Sequence, residues 1–254
     1  MISLAGKATL VTGGSRGIGA ATVKLFAQAG ADVVFSYHQN REAALQVEQD
    51  ARKHGTRIES CKADSGKMAD AKRLVEFARD RLGHLDILVV NAAIWNNEGI
   101  AIENLTERDW DEMVRVNLKG VYAVIRYTVP HMIAQRGGRI VAVSSVAGQR
   151  GTPLHSHYSA TKGGVISFVK AISAELAQHN ILVNCVAPGF VDTNIFKKSL
   201  TDKSQMKKLL ASYPLKRAAT PEEVAGPILF AVSDLATFIT GEVINVNGGS
   251  FLCG

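Results

Sequence analysis

The sequence predicts one α/β domain in which helices cover both faces of a mostly parallel sheet. Three observations carry this. Seven apolar, β-rich runs alternate with helix-like segments along the 254 residues, the pattern of βαβ units. Several of those runs ("LVTG", "ILVV", "IVAV") are continuously apolar, as strands buried on both faces must be. No internal repeat or low-complexity linker divides the chain, so residues 1–254 read as a single unit, long enough to bury a substantial core.

The first strand, in 7–13, runs into a glycine-rich turn and a helix over 17–29. The second run, 31–37, leads to a helix at 41–54, and the third, 56–62, to one at 67–82. The fourth, 85–92, is followed by a long helical stretch, 107–135, and the fifth, 138–145, by a helix over 158–179. The sixth, 181–188, opens an excursion at about 190–215, read as a substrate lid, before a helix at 221–233. That helix has a strong start: Thr220 as N-cap, Pro221 at the first helical position, and Glu222 and Glu223 in the first turn, against the positive end of the helix dipole. The seventh run is 242–249.

Composition narrows the function classes. With 46% hydrophobic and 20% charged residues the chain is ordinary for a globular protein. No stretch of about 18 apolar residues spans a membrane, and the N-terminus has no secretory pattern, so a cytoplasmic protein is expected. Cys61, Cys185 and Cys253 are odd in number and lack metal-ligand spacing, which fits reduced thiols and no metal site. The net charge of +6 (pI about 9.3) is scattered except at 196–210, where Lys197, Lys198, Lys203, Lys207 and Lys208 crowd together. There is no basic stripe interleaved with aromatics, which argues against nucleic acid.

The glycine turn is the first chemical signal. In "TLVTGGSRGIGAATVKLF" a buried strand ends at Thr12, glycines follow at 13, 14, 17 and 19, and a helix begins. Small residues let backbone amides approach a pyrophosphate at the positive end of a helix. The spacing Gly13-x-x-x-Gly17-x-Gly19 differs from G-x-G-x-x-G, and a plain tight turn is the ordinary alternative. An NAD-type site wants a carboxylate about 20 residues on. The second strand instead ends in Ser36, Tyr37 and His38, with no carboxylate before Glu42. A 2′-phosphate meets no repulsion there, and Arg16, Ser36 and Arg41 are candidates to hold it, so NADP(H) is favoured over NAD(H).

These residues belong to a wider set. "TGGSRGIG" (12–19), Asp64, "NAA" (91–93), Asn117 in "VNLKG", Ser145 in "VSSVAG", "YSATK" (158–162), "PG" (188–189) with Thr193, and "NVNGG" (245–249) occur in order. Over nearly its full length the chain resembles the short-chain dehydrogenases/reductases, most of all the bacterial β-ketoacyl-[acyl-carrier-protein] reductases. It departs at position 93, where the family usually has glycine; the methyl of Ala93 is tolerated if its backbone angle is ordinary.

The resemblance implies a Rossmann-type, doubly wound, seven-stranded parallel sheet, a homotetramer, and hydride transfer between NAD(P) and a carbonyl or alcohol. It places Gly13, Ser15, Arg16, Gly17, Ile18, Gly19, Ser36 and Tyr37 along the dinucleotide, with Asp64 near the adenine. It places Asn91, Ala92 and Ala93 beneath the ribose, and Pro188, Gly189, Val191 and Thr193 along the nicotinamide. Trp95, Gln149, Phe190 and Phe196 would line the substrate pocket with Ser145.

Carbonyl reduction needs a proton for the developing alkoxide. Tyr158 is the expected donor. A free phenol titrates near 10, and Lys162, one turn on at i+4, would lower that value. The resemblance adds that Lys162 bonds the nicotinamide ribose. Ser145, at a strand end, would hydrogen-bond the substrate oxygen, and the resemblance gives Asn117 a water-linked relay behind Lys162. Singly, each has a plain structural explanation; together, in family order, they point to a working oxidoreductase. His155 and His157 lack a nucleophile elbow and read as pocket or surface residues.

The substrate stays open between an acyl thioester, delivered by an acidic carrier protein, and a free small carbonyl, polyol, sugar or steroid-like alcohol. Related carrier-protein reductases dock through two arginines beside the active-site mouth; one position matches Arg136, and the other falls on His179. A non-catalytic NADP(H) sensor is the reading from another class; the intact Ser145–Tyr158–Lys162 set argues against it.

Overall fold

The computed structural model describes residues 2–96, 98–193 and 210–252. Its strands are β1 (Ala8–Val11), β2 (Asp32–Tyr37), β3 (Ile58–Lys62), β4 (Ile87–Val90), β5 (Gly138–Val143), β6 (Ile181–Pro188) and β7 (Val243–Val246). All pair in parallel in the order β3-β2-β1-β4-β5-β6-β7. The order reverses between β1 and β4, where a Rossmann-type sheet opens a crevice beyond its strand ends.

The continuous apolar runs are explained by two cores. Side chains alternate across a strand. Val11, Phe35, Val89 and Val141 therefore face one core, with Val23 and Phe26 from α1 (Gly17–Gln28). Leu10, Val34, Leu88 and Ile140 face the other, with Leu74 from α3 (Met68–Leu82). Phe26, Phe35, Leu10 and Leu88 are fully buried, each contributing roughly 1.5–3 kcal/mol. α2 (Arg41–Arg52), which lies between α1 and α3 in the chain, packs on the first core through Ala44, Val47 and Ala51.

The first, fourth, fifth and seventh sequence runs extend past the carboxyl ends of their strands, whereas the sixth coincides with β6. The residues beyond the strand's carboxyl end, such as Thr12–Gly13, Asn91–Ala92 and Ser144–Ser145, leave the ladder and build the site.

The helical stretch 107–135 is α4 (Glu107–Val114), a π-helical turn (Arg115–Lys119) and α5 (Gly120–Ala134). After β5 a short helix not expected from sequence, α6 (Val146–Arg150), precedes α7 (Ser156–Leu176). The last helix, α8 (Pro221–Val232), starts as its sequence predicts, with a reciprocal capping box between Thr220 and Glu223. Among the described residues no helix is long and apolar enough to cross a membrane. Cys61 and Cys185 are free thiols. Cys253, Phe196 and the lysines at 197–208 lie outside the described residues, as does most of the excursion at 190–215.

Candidate active site

A cleft of about 660 Å³ runs along the carboxyl ends of β1 to β6. At its centre the glycine turn folds back on itself. A Cβ on Gly19 would lie 2.2 Å from the Gly13 carbonyl oxygen and 2.6 Å from Asn91 Nδ2, so only glycine fits. Gly19 therefore closes the turn from behind and does not line the cleft, whereas Gly13, Ser15, Arg16, Gly17 and Ile18 do. Asn91 locks the turn to β4: its Nδ2 donates to the carbonyls of Thr12 (3.1 Å) and Gly13 (3.2 Å). Thr12 Oγ1 accepts in return from the Asn91 and Ala92 amides, at 3.0 Å each.

The helix beyond is left uncapped. Arg16 makes no side-chain cap to α1, and no acidic residue sits in the first turn. Its first amides and positive dipole end face the cleft, as an anion site requires. A Cβ on Gly17 would project to 3.2 Å from the Thr193 methyl across the cleft, narrowing the channel that a pyrophosphate needs. The cradle fits a dinucleotide.

Ser36 lines the cleft and is also tied to the glycine turn. It is 1% exposed, and its Oγ accepts from the Gly13 amide (3.1 Å) while its carbonyl accepts from Gly14 (2.8 Å). It braces the turn from the tip of β2, and because its Oγ accepts there its proton remains available to donate. Tyr37 lines the cleft beside His38; Arg41, at the start of α2, does not.

Asp64 is already paired. Arg115 donates to both its oxygens (3.0 and 3.1 Å) and also bonds Glu112 (2.6 and 2.8 Å). Partial burial works against the Asp64 carboxylate, but the Gly66 amide and Arg115 outweigh it and hold the carboxyl below its ordinary range. Two carboxylates thus neutralise Arg115, whereas Arg16 makes no ion pair among the described residues.

At the opposite end, Ser145 caps α6 by accepting from the Ala147 amide (3.1 Å), leaving its proton free to donate. Tyr158, on the first turn of α7, is within hydrogen-bond reach of Ser145. Lys162 is 3% exposed and donates to the Val143 carbonyl (2.8 Å), with its ammonium 5.7 Å from the Tyr158 ring centre. At Tyr158 the effect of burial is the larger one and sets the direction of the shift. Burial pushes Tyr158 up to about 12, against the Ser145 hydrogen bond, and pushes Lys162 down to about 8. Both groups are desolvated, and the lysine spends its hydrogen bond on a carbonyl.

Asn117 is fully buried in the π-helical turn, a rare geometry that recurs at functional sites. Its side chain is committed to Ile94: Oδ1 accepts from the amide (2.8 Å) and Nδ2 donates to the carbonyl (2.9 Å). The amide therefore anchors the segment after β4 and makes no bond to Lys162. The π turn leaves no residue pattern from which sequence could find it. Ala92 and Ala93 line the cleft, and Ala93 has no positive φ, so its methyl carries no strain.

The substrate end holds Trp95 and Phe190 as expected, joined by Arg150, Thr152, His155 and Tyr213. Gln149 does not line the cleft, because α6 turns Val146, Ala147 and Arg150 to it instead. Pro188, Gly189, Val191 and Thr193 form the wall after β6. Arg136 and His179 lie just before β5 and β6, near the Gly138–Asn180 backbone bond, and neither lines the cleft. Those are the amino ends of the strands, about 20 Å along β5 from the end that carries Ser145.

The family model described as enoyl-(acyl carrier protein) reductase matches residues 13–250. The chain is 39% identical over 250 residues to the 3-oxoacyl-[acyl-carrier-protein] reductase FabG of Aquifex aeolicus, covering 98% of this chain and 99% of that protein. It is 41% identical over 246 residues to the FabG of Thermotoga maritima, covering 97% and 98%. It is also similar to a short chain dehydrogenase from Burkholderia cenocepacia J2315, solved in complex with NADP, at a TM-score of 0.90 and 31% identity, covering 97% and 98% of the two chains. With the parallel sheet, the glycine turn and the Ser145–Tyr158–Lys162 cluster in one cleft, these matches show that the chain belongs to the short-chain dehydrogenase/reductase family.

Proposed function

We propose that this protein is an NADP(H)-dependent reductase that converts a 3-oxoacyl thioester to its 3-hydroxy form. The observation that carries the reading is one cleft with an anion cradle at its centre and a half-buried hydroxyl pair, Ser145 and Tyr158, at one end. The names of the curated relatives support the substrate class. When bound, the nicotinamide supplies a hydride to the carbonyl carbon. Ser145 Oγ–H donates to the carbonyl oxygen as charge builds there, and Tyr158 gives that oxygen its proton. Lys162, held on the Val143 carbonyl, offers a buried positive charge that stabilises the phenolate left behind.

NADP(H) is favoured because Arg16 lines the cleft without an ion pair among the described residues, while Arg115 is neutralised. Arg16→Ala is expected to weaken binding of 2′,5′-ADP about tenfold or more, the loss of a charge-assisted bond, and to leave 5′-AMP unchanged. Calorimetric titration of the two nucleotides checks this; equal losses for both would remove Arg16 from the 2′-phosphate.

The chain's basic charge supports an acidic carrier protein as the form in which the thioester arrives. The position of Arg136 and His179, away from the cleft of their own protomer, favours a second reading in which a free small carbonyl or alcohol is the substrate. Carrier-linked substrate should lose kcat/KM as salt rises, and a free thioester should not. A homotetramer fits the open edge at β7, flanked in sequence by the exposed side chains of Leu235, Phe238 and Leu252. The free thiols fit a cytoplasmic setting.

A further inference from the structure

His155 and His157 do more than fill the pocket rim. The segment after β4 crosses the substrate end of the cleft, and three contacts hold it. Ile94 is gripped through both backbone groups by Asn117. Trp95 stacks on His155, with ring centres 4.0 Å apart and planes 11° from parallel, and meets Tyr158 edge-on at 4.5 Å and 87°. Asn96 Nδ2 lies 3.1 Å from His157 Nε2. His155, His157 and Tyr158 all belong to the start of α7, so the turn that carries the phenol also carries two of these anchors.

His157 is fully buried. Burial, with His155 nearby, pushes its imidazole below the ordinary histidine range, against the pull of Asp109. The neutral ring then presents an unprotonated nitrogen to the Asn96 amide. Tightly packed rings of this kind fix distances that a loop alone would not.

We propose that His157 is a positioning residue for the reaction: through Asn96 it holds the 94–96 segment on α7, keeps Trp95 beside Tyr158, and so sets the width of the slot that receives the carbonyl. Trp95 is then the wall against which the substrate is aligned, and His155 is its backing plate. The role in turnover rests on the reductase reading above; the placement of Trp95 does not.

The test uses Asn96→Ala and His157→Phe, singly and together, in a Trp110→Phe background, so that fluorescence reports Trp95, the other of the two tryptophans. Each single change is expected to shift Trp95 emission and to raise KM for an acetoacetyl thioester about threefold to tenfold, with a smaller change in kcat and no change in nucleotide affinity. The double variant should be no worse than either single one, because both remove the same bond. His157→Phe replaces a buried ring and is the variant at risk of misfolding; Asn96→Ala, on a half-buried loop residue, decides the matter alone if that happens. Unchanged Trp95 emission and KM in Asn96→Ala, or additive effects in the double variant, would overturn the proposal. A shift in emission with no thioester turnover even in the parent would sink the reductase reading and leave the clamp standing.

Discussion

Tyr158→Phe is expected to lower carbonyl reduction by about 10²–10⁴-fold, the usual contribution of a general acid, while nucleotide affinity stays within about twofold. The substitution removes one oxygen and keeps the ring, so the edge-on contact with Trp95 and the shape of the cleft survive. What is lost is the proton. Burial holds the phenol up at about 12, so at neutral pH it is fully protonated, the state a donor to a developing alkoxide needs. Steady-state kinetics with NADPH and a ketone, beside a nucleotide titration, check both halves. A variant that keeps near-parental turnover would show that the proton comes from elsewhere.

Lys162→Met is expected to abolish efficient turnover and yet make the fold more stable at pH 7. Lys162 is pushed from 10.5 to about 8 because folding strips water from its ammonium. The unfolded chain therefore holds that proton more tightly than the folded one. Folding is penalised by roughly 3 kcal/mol at every pH below about 8, and the penalty shrinks as pH rises from about 8 through 10.5. Methionine fills similar space without a charge but gives up the hydrogen bond to Val143, worth about 1 kcal/mol. The net gain is about 1–2 kcal/mol, or several degrees in Tm for a chain of this size. Urea denaturation across pH should show the variant ahead at pH 7 and the gap closing toward pH 10; a less stable variant at pH 7 would mean that the ammonium is better solvated than its burial indicates. By the same titration, reduction by the parent should fall as pH rises through about 8, where the buried charge beside Tyr158 is lost.

Much of this was legible before any coordinates. The strands could be read because a strand covered on both faces is nearly all apolar: β4 and β5 carry no polar residue in their centres, and β1 carries only Thr9. The chemistry could be read because an uncapped helix after a glycine turn, and a Tyr–Lys pair one turn apart, each place function on local spacing. What could not be read depends on tertiary direction. That Ser36 also holds the Gly13 amide depends on how the tip of β2 meets the glycine turn. Gln149 was misplaced because α6 is only five residues long and leaves no periodic signature. The desolvation of Tyr158 and Lys162 was not legible because spacing along a helix says that two groups are neighbours, not whether water reaches them. Arg115 and the Asn96–His157 contact were missed for a related reason: each joins residues far apart in the chain, with no motif to announce the pair.

If this cleft moves hydride and proton onto a 3-oxoacyl carbonyl, the reaction can be followed directly. The most direct test is to mix the purified protein with NADPH and an acetoacetyl thioester and to follow both cofactor and product. NADPH should be consumed one for one with 3-hydroxyacyl product, and NADH should serve poorly. No NADPH consumption with acetoacetyl thioesters, whether free or carrier-linked, by protein that binds NADPH normally would contradict the reductase reading.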